Sequence, residues 1–141
     1  MSLFEARVQA QAFDLATEQA RLSELGPEVG AIVSFTGQVR GEVLELEHYP
    51  GMAERELQAL LDGARGRWPL LGAIIVHRHG RLEVGAPIVL VLTASSHRRA
   101  AFEAADYLMD WLKTRAPFWK KEAGGWVSAR DSDEEAAARW V

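Results

Sequence analysis

One amphipathic stretch, SSHRRAAFEAADYLMDWLKTRAPFWKKE from Ser95 to Glu122, restricts the fold of this chain more than any other. Ala101, Ala105, Leu108 and Leu112, flanked by Phe102 and Met109, recur at helical spacing, while Arg99, Glu103, Asp106 and Asp110 fall on the other side. Ser95 or Ser96 is suited to cap the first turn. Pro117 stops the helix, because proline pushes the residue before it out of helical geometry. The pattern predicts a helix from about His97 to about Arg115.

Two nearly continuous apolar runs, Gly72 to Val76 and Ile88 to Ala94, predict central strands buried on both faces. Alternation predicts further strands at Phe4–Gln9, Val43–His48 and Phe118–Lys121, and β-rich composition predicts one at Val29–Val39. A short strand is expected from Trp126 to Ala129, and the tail from Ser132 to Trp140 is expected to add a last helical turn. Asp14 caps a short helix that Gly26-Pro27 ends, and Met52 to Trp68 forms another with Leu57, Leu60, Leu61 and Ala64 inward. No linker or repeat divides the chain, so residues 1–141 read as one domain.

With 48% hydrophobic and 26% charged residues, the composition is that of a globular protein. No apolar run approaches the roughly 20 residues needed to cross a bilayer, and MSLFEARVQA lacks the regions of a signal peptide. A cytoplasmic protein with no membrane partner is expected. The absence of cysteine excludes disulfides, thiolate metal sites and cysteine nucleophiles.

The charge distribution is more informative than its total. From His97 to Lys121 six basic residues (Arg98, Arg99, Lys113, Arg115, Lys120, Lys121) face three acids, a local +3 within a chain of −4, which leaves −7 for the rest. An anionic ligand is therefore expected here, and nucleic acid is not, since no basic face covers the whole domain. His97 and Arg98 sit at the helix N-terminus, where free amides and the macrodipole favour an anion. Lys113 lies sixteen residues beyond His97, which at 1.5 Å per residue is roughly 24 Å along the axis. If both ends serve one small ligand, they must come from two copies of the chain.

Gln38, Val39 and Arg40 follow Gly37 at a strand end, where an arginine can grip phosphate or carboxylate, although a plain hairpin with a solvated arginine accounts for the pattern as well. His77 and His79 alternate and share a face, but no third ligand is evident, so neither a metal nor a cofactor is expected.

The long segment, together with SFTGQVR, LEHYPGM, VHRHGRLEVG and WVSARDSD, resembles the catalytic (large) subunit family of molybdopterin synthase over nearly the whole chain. The resemblance implies an α+β protein of the α/β hammerhead type, with helices packed on antiparallel sheet and a small projecting β subdomain. It also implies a homodimer within a heterotetramer, each chain binding a small ubiquitin-like sulfur-carrier subunit through its C-terminal Gly-Gly. The implied activity is sulfur transfer from the carrier's thiocarboxylate to cyclic pyranopterin monophosphate, forming the molybdopterin dithiolene. By the same resemblance Lys113 is the principal catalytic lysine and Lys120 the second. Gln38, Val39 and Arg40 match the substrate-binding turn, His97 and Arg98 match the pair that the neighbouring subunit contributes, and Lys121 and Glu122 continue the pocket. Family members commonly carry a longer loop where this chain has only Gly41 and Glu42. The alternative is a non-catalytic module on the same scaffold that binds a phosphate ligand or the carrier.

Overall fold

The two apolar runs do form the middle of a sheet. In the computed structural model, which describes residues 1–115, 118–122 and 125–127, they belong to β4 (Leu70–Arg78) and β6 (Pro87–Ser95), antiparallel neighbours in the order β1-β4-β6-β2. β2 (Ala31–Gln38) runs antiparallel to β6, while β1 (Leu3–Gln9) joins β4 in parallel and is the one exception to the antiparallel expectation within this sheet. A tight hairpin cannot connect parallel strands, and two helices and two strands lie between β1 and β4 in the chain.

Alternation sorts the central strands into two cores. Ala73 and Ile75, with Val89 and Val91, pack against Leu57, Leu61 and Ala64 of α2 (Met52–Arg67) and Leu108 and Leu112 of α3 (Arg98–Arg115). Ile74, Val76, Leu90, Leu92 and Ala94 face the other way, onto Leu22 of α1 (Leu15–Ser23). Burial on both faces is why these strands read as continuous apolar runs. Gly72 permits the close approach of α1: a Cβ there would lie 2.7 Å from Leu22 Cδ2 and 2.8 Å from the Leu3 carbonyl oxygen.

A smaller second sheet has the order β5-β3-β7-β8, from β3 (Leu44–His48), β5 (Gly80–Leu82), β7 (Phe118–Glu122) and β8 (Gly125–Val127). The whole is α+β, as expected. β5 lies in a stretch that reads as loop, because three residues are too few to show a period. Among the described residues no helix is long and apolar enough to cross a membrane. Pro117, the side chain of Glu122, residues 128 and 129 of the expected last strand and the tail from Ser132 to Trp140 lie outside what is described.

Local signals hold in part. Asp14 caps α1, accepting from the Thr17 amide at 3.1 Å. Ser95 does not cap α3, because it ends β6 and donates its hydroxyl to the Pro69 carbonyl at 2.9 Å. Phe102 is 59% exposed, since it stands about 90° around the helix from the Ala101–Ala105–Leu108–Leu112 stripe. Tyr107 is buried instead, edge-on to Trp68 at 5.2 Å, because α3 packs on α2 as well as on the sheet.

Charges fasten α1 to the sheet edge. Arg7 bonds Glu5 and Glu18 at 2.6 Å each, and Arg21 reaches Glu5 at 2.8 Å and Glu18 at 2.9 Å. Hydrogen bonding to Arg21 first, and to Arg7, pulls the Glu5 carboxyl down to about 2 against the opposing effect of burial. Glu18, 7% exposed, is lowered chiefly by its hydrogen bond to Arg7.

Candidate functional site

The last turns of α3, the ends of β2, β4 and β6, and the strands β3 and β7 enclose a cavity of about 310 Å³. It lies where the two sheets meet. From α3 come Met109, Leu112 and Lys113, spaced three and four apart and therefore on one side of the helix. The main sheet gives Phe35, Gly37, Gln38, His77, Ile88 and Val89. From the second sheet come Leu44 and Leu46 of β3 and Phe118 and Lys120 of β7.

Strand register decides which lysine of the Lys120-Lys121 pair enters. Lys120 lies opposite Leu46, and both line the cavity. Successive strand residues alternate faces, so Lys121 goes with Trp119 to the other side, where it is exposed. Trp119 there meets Tyr49 edge-on at 4.8 Å.

The turn after β2 is half inside. Gln38 lines the cavity, and Val39, 5% exposed, is pinned by its backbone, donating to the Ala86 carbonyl at 2.9 Å and accepting from the Gly85 amide at 2.8 Å. Arg40 follows, exposed, before Gly41 turns the chain at φ 84°. His97 and Arg98 do not reach this cavity within one chain: with Arg99, Phe102 and Glu103 they line a separate surface hollow at the N-terminal end of α3. The expected residues thus divide into two groups at opposite ends of one helix.

His77, which the sequence marks only as half of an alternating histidine pair, is a cavity residue. It is 6% exposed, its Nδ1–H donates to the Arg78 carbonyl at 2.8 Å, and its ring stacks on Phe118 with centroids 3.8 Å apart and planes 14° apart. Desolvation pushes its pKa down to about 4, against the opposing hydrogen bond to Arg78, so at neutral pH the ring is uncharged. His79 does not line the cavity; its ring lies against His48, with centroids 4.3 Å apart. Alternate spacing makes the pair read as a shared face in the sequence, but β4 ends at Arg78, one residue before His79, so strand alternation does not extend to it.

Residues 8–115 match the family described as MoaE protein. The chain belongs to the MoaE family. This MoaE-family chain is 54% identical, over 95% of its length and 91% of the relative's, to a protein of Mesorhizobium japonicum named molybdopterin synthase catalytic subunit. Its fold matches the molybdopterin cofactor biosynthesis protein E of Burkholderia multivorans with a TM-score of 0.91, at 47% identity and coverage of 98% and 97% of the two chains. A molybdopterin synthase structure from Staphylococcus aureus matches with a TM-score of 0.76 at 35% identity, covering 91% of this chain and 98% of that one.

What the MoaE-family site can do follows from its parts. Two amines and a primary amide converge on a space whose other described walls are almost wholly apolar, and no acid is among the described lining residues. Lys113 is exposed and Lys120 half-buried, so the site is open to a ligand, while the apolar walls strengthen the attraction of two cations for an anion. Such a site suits a small anionic ligand at which charge develops.

Proposed function

We propose that this chain is a sulfurtransferase that makes two successive transfers onto cyclic pyranopterin monophosphate, giving the dithiolene of molybdopterin. Each transfer moves one sulfur from the C-terminal thiocarboxylate of a small ubiquitin-like carrier ending in Gly-Gly and releases that carrier as its carboxylate after hydrolysis. The observation that carries the reading is the convergence of Lys113, from α3, and Lys120, from β7, on one apolar-walled cavity beside Gln38. The name shared by the relatives supports the same activity.

Each group has a role that its chemistry suits. Lys113 acts as general acid and base during sulfur attack and release. Lys120, with Arg40 two residues beyond Gln38, holds the anionic substrate and stabilises developing charge, and Gln38 and Val39 shape the turn that carries Arg40. Phe35, Leu44, Leu46 and Leu112 limit the water that would intercept an acyl-sulfur intermediate. Lys121, on the other face of β7, and Glu122 after it bind substrate from outside the cavity that one chain forms.

His97 and Arg98 act on the partner's cavity. The chain works as a homodimer that takes one carrier at each outer end, a heterotetramer in all. Support comes from the distance between the two ends of α3, which no small ligand spans, and from the cationic hollow at the end remote from Lys113. Residues 1–141 act as one domain, in the cytoplasm.

The test is to mix the protein with thiocarboxylated carrier and precursor and detect the product by fluorescence after oxidation. Lys113→Ala is expected to abolish product while circular dichroism and the dimer's elution volume stay unchanged. Normal turnover by this variant removes Lys113 from the role. Wild-type protein that binds both partners and forms no product is a binding module and no enzyme.

A further inference from the structure

His77 takes no part in the reaction just described, yet it is built into the cavity with more care than a filler needs. Any aliphatic side chain could occupy that volume at the end of β4. An imidazole adds a flat face and a donor, and the Nδ1–H bond to the Arg78 carbonyl at 2.8 Å fixes the rotation of the ring. The face it presents carries Phe118, parallel to within 14° at 3.8 Å.

Phe118 is the first residue of β7, a strand of five. Two residues on, and therefore on the same face, stands Lys120. β7 is hydrogen-bonded to β3 and β8, whereas His77 belongs to β4 of the other sheet. The His77–Phe118 stack thus ties the lysine-bearing strand to the main sheet. Because the ring is uncharged at neutral pH, this tie adds no third positive charge beside Lys113 and Lys120.

We propose that His77 is a positioning residue for Lys120: its locked ring fixes the plane of Phe118 and, through it, the seat of β7 from which Lys120 enters the cavity. Its effect on turnover rests on the role proposed for Lys120, but the contact itself does not.

The experiment has two arms. In protein labelled with ¹³C-lysine, the ε-carbon signals of Lys113 and Lys120 are compared among wild type, His77→Ala and His77→Phe. In the complete synthase with thiocarboxylated carrier, kcat and KM for the precursor are measured for the same proteins, alone and in a Lys120→Ala background. His77→Ala should move the Lys120 signal and leave that of Lys113. It should lower kcat on the order of tenfold, with KM within about twofold. His77→Phe, which keeps the flat face, should recover most of both. In the Lys120→Ala background, His77→Ala should cost nothing more.

An unmoved Lys120 signal, an equal movement at Lys113, or the same loss of kcat in the Lys120→Ala background overturns the proposal, since each marks general loosening of the core. If Lys120→Ala turns over normally while His77→Ala still moves the Lys120 signal, the positioning stands and the role given to Lys120 in the reaction falls. Should His77→Ala not fold, Phe118→Leu removes the stack from the other side and must give the same pattern.

Discussion

Glu5, Arg7, Glu18 and Arg21 meet at the edge of the main sheet with two acids for two bases, each arginine touching both carboxylates. Lys113 and Lys120 meet at the cavity, where no acid is among the described lining residues. The first cluster is complete within the chain, so its charges pull α1 onto β1 and recruit nothing else. At the second, the described walls are apolar apart from Gln38 and His77, so an anion that enters meets Lys113 and Lys120 where water screens them less. The two should therefore respond oppositely to mutation.

The largest contrast is between Lys113→Ala and Arg7→Ala. The first should lower turnover by a factor on the order of 10² or more, the usual size of a general acid–base contribution, with its urea midpoint close to wild type. The second should leave turnover of the folded protein within about twofold, because Arg7 touches nothing in the cavity. If Arg7→Ala costs as much turnover as Lys113→Ala, the division between scaffold charge and site charge is wrong.

A sharper test uses the distance along α3. Lys113→Ala and Arg98→Ala dimers should each be nearly inactive, yet mixing equal amounts with subunit exchange should restore about a quarter of wild-type activity. Half of the dimers are then mixed, and one of the two sites in each has both residues intact. No recovery would place Arg98 and Lys113 in the same chain's site, or in unrelated ones.

The halves of the comparison were not equally legible in the sequence. Helical period, the two apolar runs and the Asp14 cap located α3, β4, β6 and α1, since each signal is local. The resemblance puts Lys120 and Lys121 at one pocket, whereas residue parity along β7 sets them on opposite faces. The Glu5–Arg21 and Arg7–Glu18 pairings left no mark, since they depend on how α1 lies across β1, sixteen and eleven residues away. The place of His77 in the cavity was hidden for a related reason: its partner Phe118 is brought to it only by the meeting of two sheets. Resemblance to a family named Lys113 and Lys120, and only the fold shows the walls that surround them.

A third expectation concerns stability at the scaffold cluster. Arg7→Ala leaves Glu18, 7% exposed, with Arg21 as its remaining cation. Breaking a fully buried pair costs about 3–5 kcal/mol, but Arg7 is 30% exposed, so a loss on the order of 2 kcal/mol is expected from urea unfolding. Lys121→Ala, on the exposed face of β7, should change the midpoint by less than about 0.5 kcal/mol. Equal losses from the two would show that the quartet fastens nothing.

The smallest effect separates the two regions by pH alone. His77 has its ordinary value of 6.5 in the unfolded chain and about 4 when folded, so between those values the unfolded chain binds the proton and the folded one does not. Stability contributed by the neutral ring is full above about pH 6.5 and is lost as pH falls toward 4. Glu5 repeats this lower down: its carboxyl goes from 4.5 unfolded to about 2 folded, so its contribution is full above about pH 4.5 and is lost as pH falls toward 2. Glu18, also lowered, adds to the lower window, and His79, lowered chiefly by desolvation, adds to the upper one. Urea midpoints across the range should therefore decline in two stages on acidification. His77→Phe should flatten the upper stage to the part His79 keeps, leaving the lower intact, and Glu5→Gln should do the reverse. If His77→Phe and wild type lose stability in parallel between about pH 6.5 and 4, the folded ring takes up its proton at the same pH as the unfolded one. Below about pH 6.5 the cavity would then gain a third positive group and hold an anion more strongly than the scaffold comparison allows.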